Sequence, residues 1–264
     1  MSLKFAAITP HPPIIVPGVG SRADLAKCQN TTDAMKKLAM NFAATSTQTI
    51  LIISPHSPVA PSAFAVNASP SLESSLLDFG AAEPHYTLDT DSELASEIIS
   101  QAKPDLPVTP IESPILDHGV NVPLHFLLAK KPVVKLVSMS FCGLSLSKHY
   151  DFGKYLAKII SDLKKEIAVI ASGDLSHRLT PEAPAGFSPR GSEFDEKIVA
   201  AVKAGDTKSI LGIDAQLVND AGECGLRSIA ILLGILGEQA RSAKVLSYEG
   251  PFGVGYLVAD YKLN

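Results

Sequence analysis

Tryptophan is absent, and aromatic residues make up only 6% of the 264 residues, so few side chains are available to stack on a flat ligand. Cysteine is scarce too. Cys28, Cys142 and Cys224 are an odd number at wide spacing with no C-x-x-C pair, which excludes a disulfide framework and a four-thiolate zinc site. Positive charge is in deficit: 23 Lys and Arg face 27 Asp and Glu for a net charge of -4, so nucleic-acid phosphates meet no attractive field. Apolar runs long enough to cross a bilayer are missing, and the start "MSLKFAAITPHPP" has neither the charged nor the long apolar region of a secretory signal. The expectation is a cytoplasmic chain with no nucleic-acid and no membrane partner. Gly/Ser linkers, charge blocks, composition shifts and solenoid repeats are also absent, which points to a single domain over residues 1–264.

Several catalytic fingerprints fail as well. The stretch "GVGSRA", residues 18–23, fits G-x-G-x-x-A in form, but it follows a proline-broken segment and lacks the acidic residue that should cap a second strand. Without a G-x-S-x-G elbow, the nearness of Ser172, Asp174 and His177 does not make a serine hydrolase. A Walker loop and H-E-x-x-H are missing too, leaving phosphoryl transfer and zincin chemistry unsupported.

What is present is 46% hydrophobic residues, arranged as short β-branched runs alternating with segments of helical period. That pattern predicts a sheet flanked by helices. Strands are expected at residues 3–8, 49–54, 133–138, 167–171, 243–247 and 253–259. Between the first two, Leu25, Cys28, Thr32, Met35, Ala39 and Phe42 recur at three- and four-residue steps, the spacing of one helix face. Phe152, Leu156, Ile159 and Leu163 form a second stripe, and Phe194, Ile198 and Val202 a third. Residues 225–237 are apolar almost all round and predict a buried helix with Glu223 and Cys224 at its start. The Pro- and Ser-rich stretches 55–75 and 178–192 read as long loops of the kind that line a site.

Four of the seven histidines lie just past a strand or open a loop: His11, His56, His118 and His177. Ligands of open α/β sheets bind outside the carboxyl ends of the strands, so the four can converge although far apart in sequence. His11 and His56 are each flanked by proline, which fixes φ and restricts the preceding residue, as a metal ligand requires. His85, His125 and His149 read as surface or hydrogen-bonded residues. Asp117 and Asp174 are placed to orient an imidazole or to cap a turn. A redox metal on two imidazoles usually takes a third, anionic ligand, for which Glu223, Cys224 and, less well, Glu249 are the candidates.

The blocks "PHPPIIVPGVG", "ISPHSP", "DHGVNVPLHF", "SGDLSH", "GECGLRSI" and "YEGPFGVGYLVA" together resemble the class III extradiol (LigB-like) ring-opening dioxygenase superfamily. Within it the resemblance is nearest to the AmmeMemoRadiSam branch, to which the Memo proteins are related. It covers essentially the whole chain in order. It implies one three-layer α/β/α domain with a central mixed sheet, and a mononuclear non-haem iron, Fe(II), acting with dioxygen on a catechol-type aromatic diol. Carried over by block, His11 and His56 are metal ligands, His177 the catalytic acid/base and His118 a substrate-contacting histidine.

The third ligand stays open. Ring-cleaving members place a glutamate at the start of the helix where Memo-type members have a cysteine, and here Glu223 and Cys224 stand side by side. A one-residue shift on a helix turns a side chain by about 100 degrees, so the two cannot point the same way. A carboxylate suits iron(II), whereas a thiolate shifts preference toward softer metals such as Zn, which is the alternative cofactor. Ungapped comparison with Memo favours Cys224. The branch also implies a second outcome, a Memo-like metal-binding or interaction protein with radical-SAM or AMMECR1-type partners and no ring cleavage. Association of family enzymes implies a homo-oligomer.

Overall fold

Continuous apolar runs in the central strands give the sheet two faces to bury, and the helices between the strands cover both. The computed structural model describes residues 2–131, 133–238 and 243–263. From the N-terminus, β1 (Leu3–Thr9) leads through a proline-rich turn to α1 (Arg22–Lys27) and α2 (Gln29–Ala43), then β2 (Thr49–Ser54). A short strand, β3 (Phe64–Asn67), and the hairpin β4 (Ser71–Leu76) and β5 (Ala81–Asp89) come next. They are followed by α3 (Ser92–Ser100), β6 (Val108–Ile111), α4 (His118–Leu128), β7 (Lys135–Ser140), α5 (Leu146–Leu163) and β8 (Ile167–Ser172). After a long connection the chain forms α6 (Arg190–Ala204), α7 (Thr207–Leu211), α8 (Ala215–Ala221) and α9 (Leu226–Leu236), and ends with β9 (Ala243–Glu249) and β10 (Tyr256–Tyr261).

Eight strands form one mixed sheet in the order β6-β3-β7-β2-β8-β1-β10-β9. The middle four, β7, β2, β8 and β1, run parallel, and both flanks join them antiparallel through β3 and β10. Both β2 and β8 are buried along their whole length, as expected of parallel strands covered on both faces. Ala6, Ile8, Leu51, Ile53 and Val169 point to one face, packed by α3, α5, α6 and α9. Phe5, Ala7, Ile50, Ile52 and Ile170 point to the other, under α2, α4 and the β4–β5 hairpin. Successive side chains of a strand point to opposite faces, and that alternation of direction along continuous apolar runs is the physical origin of these two cores. The expected three-layer α/β/α fold with a central mixed sheet is the one observed. Among the described residues no helix is long and apolar enough to cross a membrane.

The differences from expectation have local causes. Strand β7 runs from Lys135 to Ser140, shifted two residues toward the C-terminus from the expected 133–138. The last strand starts at Tyr256, because Gly253 turns the chain with φ at 75°. The expected helix from Leu25 to Phe42 is interrupted at Cys28, whose backbone leaves the helical region at φ -110° and ψ 31°. The stretch 55–75 is no uniform loop. It contains β3, four buried residues, and most of β4, where Leu72, Ser74 and Leu76 face inward while Ser71 and Glu73 face out. Its Ser and Pro content hides a period of two that spans too few residues to stand out.

Helices α5 and α9 touch backbone to backbone. A Cβ on Gly234 would lie 2.8 Å from the Gly153 Cα, and one on Gly153 would lie 2.1 Å from the Ile231 carbonyl oxygen, so glycine is required at both positions. Elsewhere Asp91 ties three elements together. It caps α3 by accepting from the Leu94 N–H at 3.2 Å, accepts the Thr49 hydroxyl of β2 at 2.6 Å, and pairs with Lys165 ahead of β8. Burial opposes its charge, but the hydrogen bonds from Lys165, Thr49 and Leu94 prevail and hold its carboxyl below the usual range.

Asp91→Ala is expected to lower unfolding free energy by about 3 kcal/mol in denaturant titration, from the lost cap and the lost buried charge partner. A carboxyl with a depressed folded pKa stabilises above its unfolded value and loses that contribution as pH falls through the folded one. The wild-type advantage over Asp91→Ala should therefore shrink on acidification below the ordinary Asp range, followed by melting at a series of pH values.

Candidate metal centre

Three parallel strands end side by side, and each delivers part of a cluster. Strand β1 runs into Pro10 and His11, β2 into Pro55 and His56, and β8, which lies between them, into Gly173 and Asp174. His118 is the first residue of α4, and Cys224 lies one residue before Gly225, the cap of α9. His11 Nε2 is 3.1 Å from His56 Nε2 and 3.6 Å from Cys224 Sγ. The three donor atoms lie within 4.8 Å of one another. The ring of His118 is stacked at a tilt on that of His56, centroids 4.0 Å apart, and meets His11 edge-on at 5.4 Å.

Hydrogen bonds fix which nitrogens face the cluster. Ser172, the last residue of β8, donates its hydroxyl to the Gly119 carbonyl, so its oxygen accepts from the His11 Nδ1–H at 2.9 Å. That leaves the His11 Nε2 lone pair aimed at His56 and Cys224, the arrangement by which an outer partner sets the tautomer of a ligand histidine. Ser54, the last residue of β2, accepts from the His56 N–H at 3.2 Å and donates to Asp117 at 2.6 Å; Ser57 donates to the other Asp117 oxygen. Asp117 thus orders the segment carrying His56 and does not touch an imidazole. Asp174 accepts the His11 backbone N–H at 3.0 Å, and its other oxygen lies 3.9 Å from His11 Nε2.

Two close backbone approaches make room for this. A Cβ on Gly173 would fall 2.1 Å from the Gly225 Cα, and one on Gly119 would fall 2.4 Å from the Ser54 hydroxyl oxygen. With Gly173 and Gly225 in contact, the Asp174 carbonyl accepts from the Cys224 and Gly225 N–H groups, and the Asp174 N–H donates to Cys224 Sγ at 3.2 Å. The thiol is held by the backbone of the same turn that receives His11.

Burial keeps all four imidazoles neutral. It pushes His11 well below its ordinary value, with help from His56, His118 and His177. His56 falls to about 4, through burial and the neighbouring His118, against the pull of Asp117. His118 and His177 are lowered by the same loss of solvent. In the other direction burial raises Asp174 to about 7 and lifts the Cys224 thiol well above its usual range. The site is a set of neutral lone-pair donors, which is the state in which imidazole binds a metal, and a cation touching the sulfur would draw off its proton.

The structure brings His11, His56, His118, His177 and Cys224 to one place. Together with Asp174, Pro184, Phe252, Val254 and Tyr256, the four histidines line a cavity of about 350 Å³. His177 Nδ1 is buried there with no hydrogen-bond partner among the described residues. Glu223 turns the other way: its carboxylate accepts the Leu226 N–H of α9, and the side chain lines a different cavity. Burial raises it to about 7. Glu249 is more distant still. It accepts from the Thr31 N–H at 2.7 Å, the Thr31 hydroxyl at 2.6 Å and Asn30 at 3.0 Å, and so holds the first turn of α2. Of the remaining histidines, His149 is buried between the Ser145 carbonyl and the Cys142 N–H, while His85 is exposed and His125 half-buried. The supporting roles of Ser54, Ser172, Gly119 and Gly225 carry no signal in the sequence, where small residues at strand and helix ends are ordinary.

Similarity to known proteins spans the segments that carry the cluster. The family described as "Catalytic LigB subunit of aromatic ring-opening dioxygenase" matches residues 5–259. Protein CA_C1420 of Clostridium acetobutylicum is 36% identical over 266 residues, covering 97% of this chain and 57% of that protein. A 3,4-dihydroxyphenylacetate 2,3-dioxygenase of Escherichia coli is 30% identical over 141 residues, covering 50% of this chain and 51% of that enzyme. The chain spans little more than half the length of these curated relatives. Among solved structures, the crystal structure of uncharacterized protein JW3007 from Escherichia coli K12 shares the fold, with a TM-score of 0.68 at 19% identity, covering 98% of this chain and 100% of that one. With a match that runs through every strand bearing the cluster, the chain belongs to the family of the catalytic LigB subunit of aromatic ring-opening dioxygenases.

Proposed function

We propose that the protein is an extradiol-type ring-opening dioxygenase that acts on a small catechol-like diol with dioxygen at a single iron(II) held by His11, His56 and Cys224. The observation that carries this reading is the convergence of four neutral imidazoles on a cavity of about 350 Å³, a volume at the small end of ligand sites, with the Cys224 thiol within reach of two of them. The donor set fits a divalent transition metal, because lone pairs face one point and the sulfur is held in place by the Asp174 backbone N–H. Iron(II) bound there supplies the redox centre through which a diol and dioxygen react.

The chain's own residues supply the rest. His177, kept neutral by burial, accepts a hydroxyl proton from the diol on an imidazole nitrogen and returns one to the opened product. His118, stacked on His56 at the mouth of α4, hydrogen-bonds an oxygen of the bound diol. Pro184, Phe252, Val254 and Tyr256 supply the wall against which the ring of the diol packs.

Cys224 in place of a carboxylate favours a second reading. A thiolate weakens the preference for iron(II) over softer metals, zinc among them, and a Memo-like metal-binding protein with AMMECR1-type or radical-SAM partners needs no ring cleavage. Anaerobic iron(II) titration followed by oxygen uptake with a panel of catechols separates the two. Stoichiometric iron with catechol-dependent uptake is the expected outcome; bound metal with no uptake across the panel moves the protein to the second reading.

His177→Ala should retain wild-type metal content while catechol-dependent oxygen uptake falls about 10²- to 10⁴-fold, the usual contribution of a general acid–base. Unchanged turnover would remove His177 from the chemistry. In a metal titration, Cys224→Ala should weaken binding at least about tenfold, while Glu223→Gln leaves it unaltered. The reverse pattern would assign the third donor to Glu223.

A further inference from the structure

A second cavity, about 650 Å³, lies behind the wall that carries Cys224 and His177. It opens between the start of α5, the α7–α8 region and the first turn of α9, and its lining includes Ser145, Leu146, Val218, Asn219, Arg178 and Arg227. Arg178 directly follows His177 in the chain, and Glu223 directly precedes Cys224, so the same two segments face the metal centre on one side and this cavity on the other.

Arg227 exerts only a longer-range attraction on the Glu223 carboxylate, and neither guanidinium is ion-paired among the described residues. Arg190 carries ion pairs to Glu193, Asp214 and Asp220, but neither Arg178 nor Arg227 takes part in one among the described residues. Arg178 packs along Gly222, where a Cβ would meet its Nε at 3.0 Å, and that Nε is buried with no hydrogen-bond partner. Arg227 lies over the Phe141 ring, 5.6 Å from its centroid, which orients the cation without neutralising it. Glu223, the carboxylate in the lining, is committed to the Leu226 N–H at the head of α9. Both arginines are half-buried, and in a chain of net charge -4 two guanidinium groups without an ion pair, one with a buried Nε lacking any partner among the described residues, give this partly apolar cavity a cationic end suited to an anion.

We infer that this cavity is a binding site for a small organic oxyanion, a carboxylate or phosphate head on a short apolar body. The guanidinium groups of Arg178 and Arg227 take the head, as planar donors matched to carboxylate and phosphate, and Leu146 and Val218 contact the body. The inference is independent of ring opening, since no residue of the metal cluster is needed to hold the anion.

Isothermal titration calorimetry of the purified chain with hexanoate, hexyl phosphate, inorganic phosphate and 1-hexanol tests it. One equivalent of hexanoate or hexyl phosphate should bind, the tighter of the two identifying the head group, with 1-hexanol and inorganic phosphate each at least tenfold weaker. Arg227→Met and Arg178→Met should each lose tenfold or more, Arg227→Lys less than Arg227→Met, and His56→Ala nothing. The site is overturned if neither anion binds, if 1-hexanol binds equally well, if inorganic phosphate matches hexyl phosphate, if Arg227→Met is without effect, if both Arg227 variants lose equally, or if His56→Ala abolishes binding and so moves the anion to the metal centre.

Discussion

The contact between His11 and His56, two imidazole nitrogens 3.1 Å apart, is the constraint around which the rest of the molecule is arranged. Their strands are not neighbours. Strand β8 lies between β1 and β2, paired with both in parallel, so the two rings can meet only above its carboxyl end. Register sets the height of that meeting: Thr9 lies opposite Ser172, and Ile53 opposite Ala171. Ser172 then supports one ring from below, while Gly173 clears the space into which Gly225 and Cys224 descend. A sheet of this order, with small residues at the end of its central strand, is what places the three donors within reach of a single ion.

Much of this was legible before any coordinates. The continuous apolar runs of β2 and β8, and the stripes on α5 and α6, announce elements whose packing is dictated by burial, and their observed positions agree within a few residues. His11 and His56 stand out because prolines flank them just past strands. The third donor could not be read from sequence. Whether Glu223 or Cys224 faces inward depends on the turn entering α9, and that turn is settled by tertiary hydrogen bonds to the Asp174 backbone, from residues about fifty positions away. Strands β3 and β4 escaped notice for a related reason: their pairing partners, β6, β7 and β5, supply the order that a Ser- and Pro-rich stretch lacks locally.

Electrostatics divides the molecule as sharply as packing does. On the metal side, neutral imidazoles, a raised carboxyl and a protonated thiol all await a positive charge. Immediately behind, Arg178 and Arg227 line a second cavity, and the buried Arg178 Nε has no hydrogen-bond partner among the described residues. The two sides share short segments: His177 lines the first cavity and Arg178 the second, while Cys224 approaches His11 and Glu223 lines the second cavity. Glu223 sits at the boundary and serves neither, its carboxylate holding the head of α9.

The glycine crossing of α5 and α9 decides how near the helix behind the centre can lie to its neighbour. With no side chain between them, the two helices pack backbone against backbone, and the turn carrying Cys224 leads directly into the helix so seated. Bulk added at the crossing would push α9 outward, which links the placement of the sulfur to two residues that touch neither it nor the imidazoles.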